Sequence, residues 1–404
     1  ICACLVGSEM CIRDSCPAHI AVQGYIKLAA LGRYQEALEL IKKENPFPAI
    51  CGRVCPKFCE DACTRGDIDD PIAIDDIKKF IAEQDMKAEH RFVPKMVNQI
   101  GKMYPQKIAI IGAGPAGLSC AYYLAVKGYP VTVFEKENTL GGMMTMGIPT
   151  FRLEKDVVLS EIEVLKELGV EFKTGIEVGR DISLNELRVQ GYKAFYMAIG
   201  AQKSAPIGIP GEELDGVYGG IDFLRGVNRG ETTSVSGDTV VIGGGNAAID
   251  VGRAATRLGT GKVSLFCLES DEEMPTVPDE KNEAIAEGIE INNCWGPKRI
   301  IGENGRVTGV EFRRCLSVRD ENGRFAPKFD ESETIVVPCA NVYVSIGQCA
   351  DWGNVLSGTK VETQNGRLVK TAEITWQTAD ADIFGGGDIA TGPKYTIDAI
   401  ANGR

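Results

Sequence analysis

The stretch from Lys107 to Glu135 constrains the fold more than any other. It opens with the apolar, β-branched run Lys107-Ile-Ala-Ile-Ile111 and turns through Gly112-Ala-Gly114-Pro115-Ala116-Gly117. It continues as a helix-like run, Leu118 to Lys127, and returns as Val131-Thr-Val-Phe-Glu135. A strand, a glycine turn, a helix and a second strand ending in an acid make a dinucleotide-binding half of a parallel α/β sheet. Gly112 permits the tight turn, Gly114 lets a pyrophosphate approach the backbone, and Gly117 lets the helix pack close to the sheet. The helix start at Pro115 and Ala116 offers unpaired N–H groups and a positive dipole end to phosphates. Glu135, 18 residues after Gly117, is placed to accept hydrogen bonds from ribose hydroxyls.

The same pattern recurs 131 residues later. Thr239-Val-Val-Ile242 is a strand, Gly243-Gly-Gly245-Asn246-Ala247-Ala248 is the turn, and Ile249–Leu258 is the helix. The chain therefore carries two dinucleotide sites. Ala248 stands where the third glycine would be, which loosens helix–sheet packing and weakly suggests NADP. The end of the next strand is more informative: Leu268-Glu269-Ser270 holds no arginine. A 2′-phosphate needs positive charge; a carboxylate at Glu269 repels it and can bond a free 2′-hydroxyl. NAD(H) is favoured over NADP(H), unless Glu269 faces solvent.

Two further segments fit the first site. Gly141 and Gly142, followed by Gly147-Ile-Pro149, read as a cofactor-facing loop or as a plain methionine-rich loop. Near the end, Gly387-Asp388 follows a short strand and a helix begins at Thr396. Asp388 can accept from a ribityl chain while that helix start faces a flavin's carbonyl edge.

Cysteine is the other unusual feature, with 14 in 404 residues. Cys51, Cys55, Cys59 and Cys63 recur every four residues, with Pro56 after one and Cys16-Pro17 upstream. Thiolates in a short run plus a remote Cys-Pro suit an iron–sulfur cube. Zinc is the rival, although its sites favour paired cysteines in two groups. Four buried thiols along one face of a single helix is the third reading. Helical spacing over Ile20–Leu31, Tyr34–Lys43 and Ile74–Lys87 makes the surrounding region helical, and a polar linker spans His90–Pro105. Gly288 to Val344 is β-rich, with hairpin turns at Asn304-Gly305 and Asn322-Gly323. Its Cys294, Cys315 and Cys339 read as core.

The net charge of −12 makes nucleic acid an improbable partner. No apolar run is long enough to span a membrane, and thiols beside a Rossmann-type fold point to the cytoplasm. With only two histidines, His19 and His90, neither in a glycine-rich motif, histidine acid/base chemistry is improbable. Residues 1–15 begin without Met and show no period, so they read as possibly non-native.

From Cys16 to Arg404 the chain resembles the small subunit of glutamate synthase and the related flavin module of dihydropyrimidine dehydrogenase. The large subunit of the NADH-dependent ferredoxin:NADP oxidoreductase is similar too. The residues that carry this are Cys16-Pro17, the run Gly52-Arg-Val-Cys55-Pro to Cys63, Gly112–Gly117, Gly147-Ile-Pro149, Gly243 to Asp250, Met274-Pro275, and Gly387-Asp388 through Ile400. The resemblance implies an α/β fold with two Rossmann-like dinucleotide-binding domains, for FAD and NAD(P), preceded by a helical iron–sulfur domain. The boundaries expected are 1–103 for the helical domain, 104–205 plus 346–404 for FAD, and 206–345 for NAD(P). It also implies a pair of [4Fe-4S] clusters. Three departures stand out. Cys2, Cys4 and Cys11 do not reproduce the family's tight spacing before the Cys-Pro, which puts the first cluster in question. The arginines typical of the strand end at Leu268-Glu269 are absent. The helix from Thr396 is cut short, which weakens the expected hold on FAD.

The function expected is electron transfer from NAD(P)H through FAD to [4Fe-4S] and on to a partner: a glutamate synthase large subunit, ferredoxin or another reductase. The cofactors supply the chemistry, so no acid/base side chain is required. A carrier subunit without its own NAD(P)H turnover is one alternative. A thiol–disulfide flavoreductase is another, although Cys120 and Cys267 are lone.

Overall fold

The computed structural model describes residues 11–98 and 101–404. The described residues fall into two compact units. One gathers the chain up to Thr145 with Thr150–Ala201 and Cys349–Arg404; the other gathers Met146–Pro149 and Gln202–Gln348.

The first unit is built on a five-stranded parallel sheet. Its order is Ile383–Gly385, Tyr192–Met197, Lys107–Ile111, Val131–Glu135, Glu171–Thr174. Val131–Glu135 is buried at every position and Lys107–Ile111 at all but the first. Continuous apolar runs of this kind belong to strands covered on both faces. Ile383–Gly385 comes from the end of the chain, so the sheet is completed by residues that follow the second unit in sequence. Helix Lys155–Glu167 buries Val158, Ile162 and Leu165, and Gly169 beyond it takes the left-handed φ of 86° that ends helices. Ser183 and Glu186 form the expected capping box over Leu184–Val189.

The helical segment falls in this same unit. Its helices are Val22–Ala30, Tyr34–Lys42, Pro48–Val54 and Ile74–Met86. It is clamped to helix Lys155–Glu167 by polar contacts that local periodicity does not announce. Glu161 accepts the Ile50 N–H at 3.1 Å. Arg53 pairs with Glu154 at 2.7 Å, and Arg91 donates to Ser160 Oγ at 2.7 Å. Two described residues of the polar linker meet the end of helix Pro115–Val126 and the turn after it: Val97 donates to Val126 O, and Tyr104 stacks on Tyr129.

The second unit repeats the parallel sheet, in the order Val217–Gly219, Asn341–Val344, Thr239–Ile242, Val263–Phe266, Glu290–Asn292. A three-stranded antiparallel sheet adds Trp295–Glu303, Arg306–Arg319 and Phe325–Pro338. Asn304-Gly305 makes its first turn with both residues at positive φ, as a tight hairpin requires. Cys315 and Cys339 are buried there and Cys294 is half-buried. Among the described residues no helix is long and apolar enough to cross a membrane.

Candidate functional site

The first glycine turn is shaped by what its glycines exclude. Gly112 has φ of 108°, and a Cβ there would lie 2.4 Å from Ala198 O. One at Gly117 would meet Gly112 O at 2.0 Å, so helix Pro115–Val126 sits directly on the turn. Gly142 closes over it with φ of 56°, its absent Cβ 2.8 Å from Gly114 Cα. Gly141 N donates to Ala113 O at 2.9 Å. Gly114 itself faces open space. The result is a backbone-lined cradle, open at the one glycine expected to face a pyrophosphate.

Glu135 is buried at the rim. Its Oε2 accepts the Ala113 N–H at 2.8 Å and its Oε1 the Glu137 N–H at 2.9 Å. Burial raises its carboxyl above the usual range, while those two donors pull it back. Each oxygen retains a lone pair for a ribose hydroxyl. Gly387 packs against the same turn, its absent Cβ 2.9 Å from Ala116 Cβ. Asp388 follows; burial raises it to about 6, opposed by the backbone N–H groups of Lys394 and Ala201. Helix Thr396–Gly403 then runs back to the first fingerprint helix, where Ser119 Oγ donates to Ile400 O at 2.8 Å. Gly147 lies in Met146–Pro149, which goes with the second unit, where Asn228 Nδ2 donates to Met146 O and Ile148 O.

The cysteine run is not one helix. Pro48–Val54 stops at Cys55, which is extended before Pro56; Lys57 is left-handed and Phe58–Asp61 restarts a single turn. Pro56 cannot donate to a helix, and it pushes Cys55 out of helical backbone. The reading of four thiols on one helix face is therefore corrected. Cys16, Cys55 and Cys59 instead line one cavity with Tyr25, Lys78 and Ile397. Cys51 and Cys63 are buried but do not line it. Cys11 is exposed, and Cys2 and Cys4 lie outside the described residues. Burial pushes the Cys55 and Cys59 thiols up to about 12, against the pull of Lys78.

In the second turn Gly243 has φ of 141°, and a Cβ there would lie 2.3 Å from Ser345 O. Gly245 faces open space and caps helix Asn246–Arg257, which buries Ala248. Asn246 Oδ1 accepts from Thr276 Oγ1 at 2.8 Å and Val277 N at 2.9 Å. It thereby ties the helix start, with Ala247, to the segment after Met274-Pro275. Glu269 is half-buried, its Oε2 3.0 Å from where a Gly244 Cβ would stand. The carboxylate thus lies over the turn.

Residues 106–403 match the family model described as pyridine nucleotide-disulphide oxidoreductase. Residues 2–90 match that of dihydropyrimidine dehydrogenase domain II, 4Fe-4S cluster. The glutamate synthase [NADPH] small chain of Escherichia coli is 35% identical, over 96% of this chain and 85% of its own. The chain belongs to the glutamate synthase small-chain family. It is thus placed among FAD-containing iron–sulfur oxidoreductases. Other members of comparable similarity are longer. The β subunit of the NADP(+)-dependent formate dehydrogenase of Moorella thermoacetica is 36% identical over 96% of this chain, which spans 58% of it. The NADPH-Fe(3+) oxidoreductase β subunit of Geobacter sulfurreducens is 35% identical, with 96% and 61% covered. Among solved structures, FprA of Mycobacterium tuberculosis in complex with NADPH shares the fold, with a TM-score of 0.62 at 19% identity, over 74% of this chain and 83% of that one.

The glycine cradle of this small-chain relative fits a flavin nucleotide, because its backbone is open at Gly114 and Glu135 is bonded to the turn at Ala113, while Gly387, beside Asp388, packs on Ala116. The thiol cavity fits an iron–sulfur cluster better than one ion. Zinc with sulfurs about 2.3 Å away needs them within about 4 Å of one another. Among the described residues no three His, Cys, Asp or Glu side chains are close enough to share an ion. Sequence reasoning missed Lys78, Tyr25 and Ile397 as cavity walls. Lys78 sits at helical spacing in a charged stretch, and nothing local distinguishes it from a surface lysine.

Proposed function

We propose that this chain is an electron-entry module. A nicotinamide nucleotide docks at Gly243, Gly245, Asn246, Ala247 and Ala248. FAD lies on Gly112, Gly114, Pro115, Ala116, Gly117, Glu135, Gly141, Gly142, Gly387, Asp388 and Thr396, and Cys16, Cys55 and Cys59 hold a [4Fe-4S] cluster. When bound, the flavin supplies the conversion of a hydride pair into single electrons. The chain orients and insulates the groups: Glu135 and Asp388 hold hydroxyls, the backbone cradle holds phosphates, and apolar walls keep water from the thiolates. The acceptor is a protein or partner subunit, as the relatives named as subunits suggest, and the module works in the cytoplasm.

One observation carries this reading. Helix Thr396–Gly403 touches both the first glycine turn and the thiol cavity. Its Gly403 packs on Ala116 O of the first turn, while its Ile397 lines the thiol cavity. Phe58 in the cysteine run meets Tyr395 edge-to-face, with ring centroids 5.5 Å apart. A flavin and a cluster held this way share a wall, which suits direct electron transfer.

For the nucleotide, the reading is NADH. The carboxylate of Glu269 over the Gly244 turn opposes a 2′-phosphate, although the relatives' names carry NADP(+) or NADPH. The test is anaerobic reduction of the holoprotein with NADH and NADPH in parallel, following flavin bleaching and the reduced-cluster EPR signal. Faster bleaching by NADH, with the EPR signal following, is expected. Faster bleaching by NADPH overturns the nucleotide choice. Bleaching by neither overturns the entry role and leaves a carrier subunit.

A further inference from the structure

We propose that Cys267 and Cys294 form an oxidisable thiol pair beside Glu269, and that closing it into a disulfide loosens the grip on a nicotinamide nucleotide. The pair itself goes beyond the function proposed above; its link to the nucleotide rests on that reading.

Cys267 is lone in sequence but not in space. It stands just after strand Val263–Phe266, where its N–H donates to Asn292 O at 3.2 Å and its carbonyl accepts from Trp295 N at 2.8 Å. Asn293 and Cys294 therefore both oppose Cys267, which makes a bulge in the neighbouring segment. Cys294 takes the left-handed φ of 62° there. Such backbone is uncommon for a residue with a Cβ, and a bulge re-aims the side chain it carries. Cys294 Sγ consequently reaches the same acceptor as Cys267 Sγ: they donate to Glu269 O at 3.8 and 3.7 Å. Paired strands lie about 4.8 Å apart, within the Cα separation that a disulfide spans. Cys315 is also near, its N–H donating to Cys294 O at 2.8 Å, but its thiol is turned to Ser317 O.

The pair has a reachable and a buried member. Cys294 is half-buried, whereas Cys267 is buried and burial pushes its thiol up to about 12. Cys294 is thus the thiol that a soluble oxidant meets first. With a small disulfide such as glutathione disulfide, the Cys294 sulfur attacks one sulfur of the reagent and displaces the other as a thiolate. The Cys267 sulfur then attacks Cys294 Sγ in the mixed disulfide and displaces the second. Two protein thiols become one disulfide, and the reagent leaves as two thiols that carry the two protons.

Glu269 is where this is felt. Its carbonyl accepts from both thiols, from the Cys294 N–H at 3.0 Å and from Asn293 Nδ2 at 3.2 Å. Closing the disulfide removes the two S–H donors. Cys267 also packs on the second glycine turn: its Cβ lies 3.0 Å from where a Gly244 Cβ would stand, as Glu269 Oε2 does. Drawing Cys267 toward Cys294 disturbs the turn and the carboxylate together.

The test incubates the reduced holoprotein anaerobically with glutathione disulfide. Cysteines are mapped by alkylation and peptide mass, and NAD+ is titrated calorimetrically before and after. A Cys267–Cys294 cross-link is expected, with Kd for NAD+ raised about tenfold, the effect of one weakened hydrogen bond to a charged group. Dithiothreitol is expected to reverse both. Cys315→Ser should still cross-link, and Cys294→Ser should show neither the cross-link nor the shift in Kd. No Cys267–Cys294 cross-link in wild type, or a Cys294–Cys315 one in its place, overturns the pair. A cross-link that leaves Kd unchanged overturns the coupling to the nucleotide, as does a shift in Kd that persists in Cys294→Ser. If the reduced holoprotein binds no NAD+, the nucleotide reading fails and takes the coupling with it, while the cross-link still decides the pair.

Discussion

Replacing Glu161 by Gln tests the clamp between the cysteine-bearing helices and the flavin-type sheet. Glu161 is 1% exposed. Its Oε2 accepts the Ile50 N–H at 3.1 Å, and Lys42, also buried, has no hydrogen-bond partner for its Nζ among the described residues. Burial raises the Glu161 carboxyl from 4.5 to about 7, against the opposing pull of Lys42 and the Ile50 and Ala49 N–H groups. A folded pKa above the unfolded one means the native state binds more protons between those values. The stability from this group is therefore full below about pH 4.5 and is lost as pH rises through about 7. At about 1.4 kcal/mol per pH unit, the loss is about 3 kcal/mol. The Gln variant cannot titrate here. Relative to wild type it should gain about 3 kcal/mol of stability between pH 5 and 8, or roughly 6–12 °C in melting temperature for a unit of this size. Thermal melts of both proteins at pH 5, 6, 7 and 8 read this directly; Asp388 titrates in the same window in both and cancels. A wild-type-minus-variant difference that is flat across that range refutes the reasoning. It would mean that Glu161 stays ionised throughout and that the attraction of the Lys42 charge outweighs the burial penalty.

Three other perturbations probe the sites. Gly142→Ala places a methyl 2.8 Å from Gly114 Cα at a φ of 56°. The backbone cost of about 1–2 kcal/mol should leave the apoprotein folded while the displaced cradle loses flavin, read as FAD content after desalting; full FAD retention refutes the cradle. Asp388→Asn removes a carboxyl that burial raises to about 6. With the same sign as Glu161, the apoprotein should gain stability above pH 6 and hold FAD less tightly, and unchanged FAD affinity would remove Asp388 from the site. Glu269→Arg should shift the NADPH:NADH ratio of kcat/KM upward by about tenfold or more, since one repulsive contact becomes attractive; an unchanged ratio means that Glu269 does not read the ribose.

The cysteines show where sequence reasoning reached its limit. Regular spacing of four offered a single helical stripe, yet Pro56 was in plain view as the residue that breaks it. Its consequence was legible: Cys55 leaves the helix, and Cys59 starts a new turn. Which thiols converge was not. Cys16 and Cys59 are separated by three helices, and Lys78 arrives from a fourth, so their meeting depends on packing angles that no local pattern encodes. The setting of Gly147 was not legible either: Asn228, 81 residues on, donates to the carbonyls on either side of it, a contact that no local pattern announces.

The sequence alone determined both glycine turns, their strands and helices, and the acid at Glu135. Each depends on contacts within about thirty residues and on backbone freedoms that only glycine has. Tertiary structure decided the rest. It inserted Ile383–Gly385 beside Tyr192–Met197, placed one helix against both the first glycine turn and the thiol cavity, and buried Glu161, Lys42, Lys78 and Asp75. Charged side chains on amphipathic helices are by default solvated. Whether a particular one is removed from water is settled by what packs over it, and that information lies elsewhere in the chain.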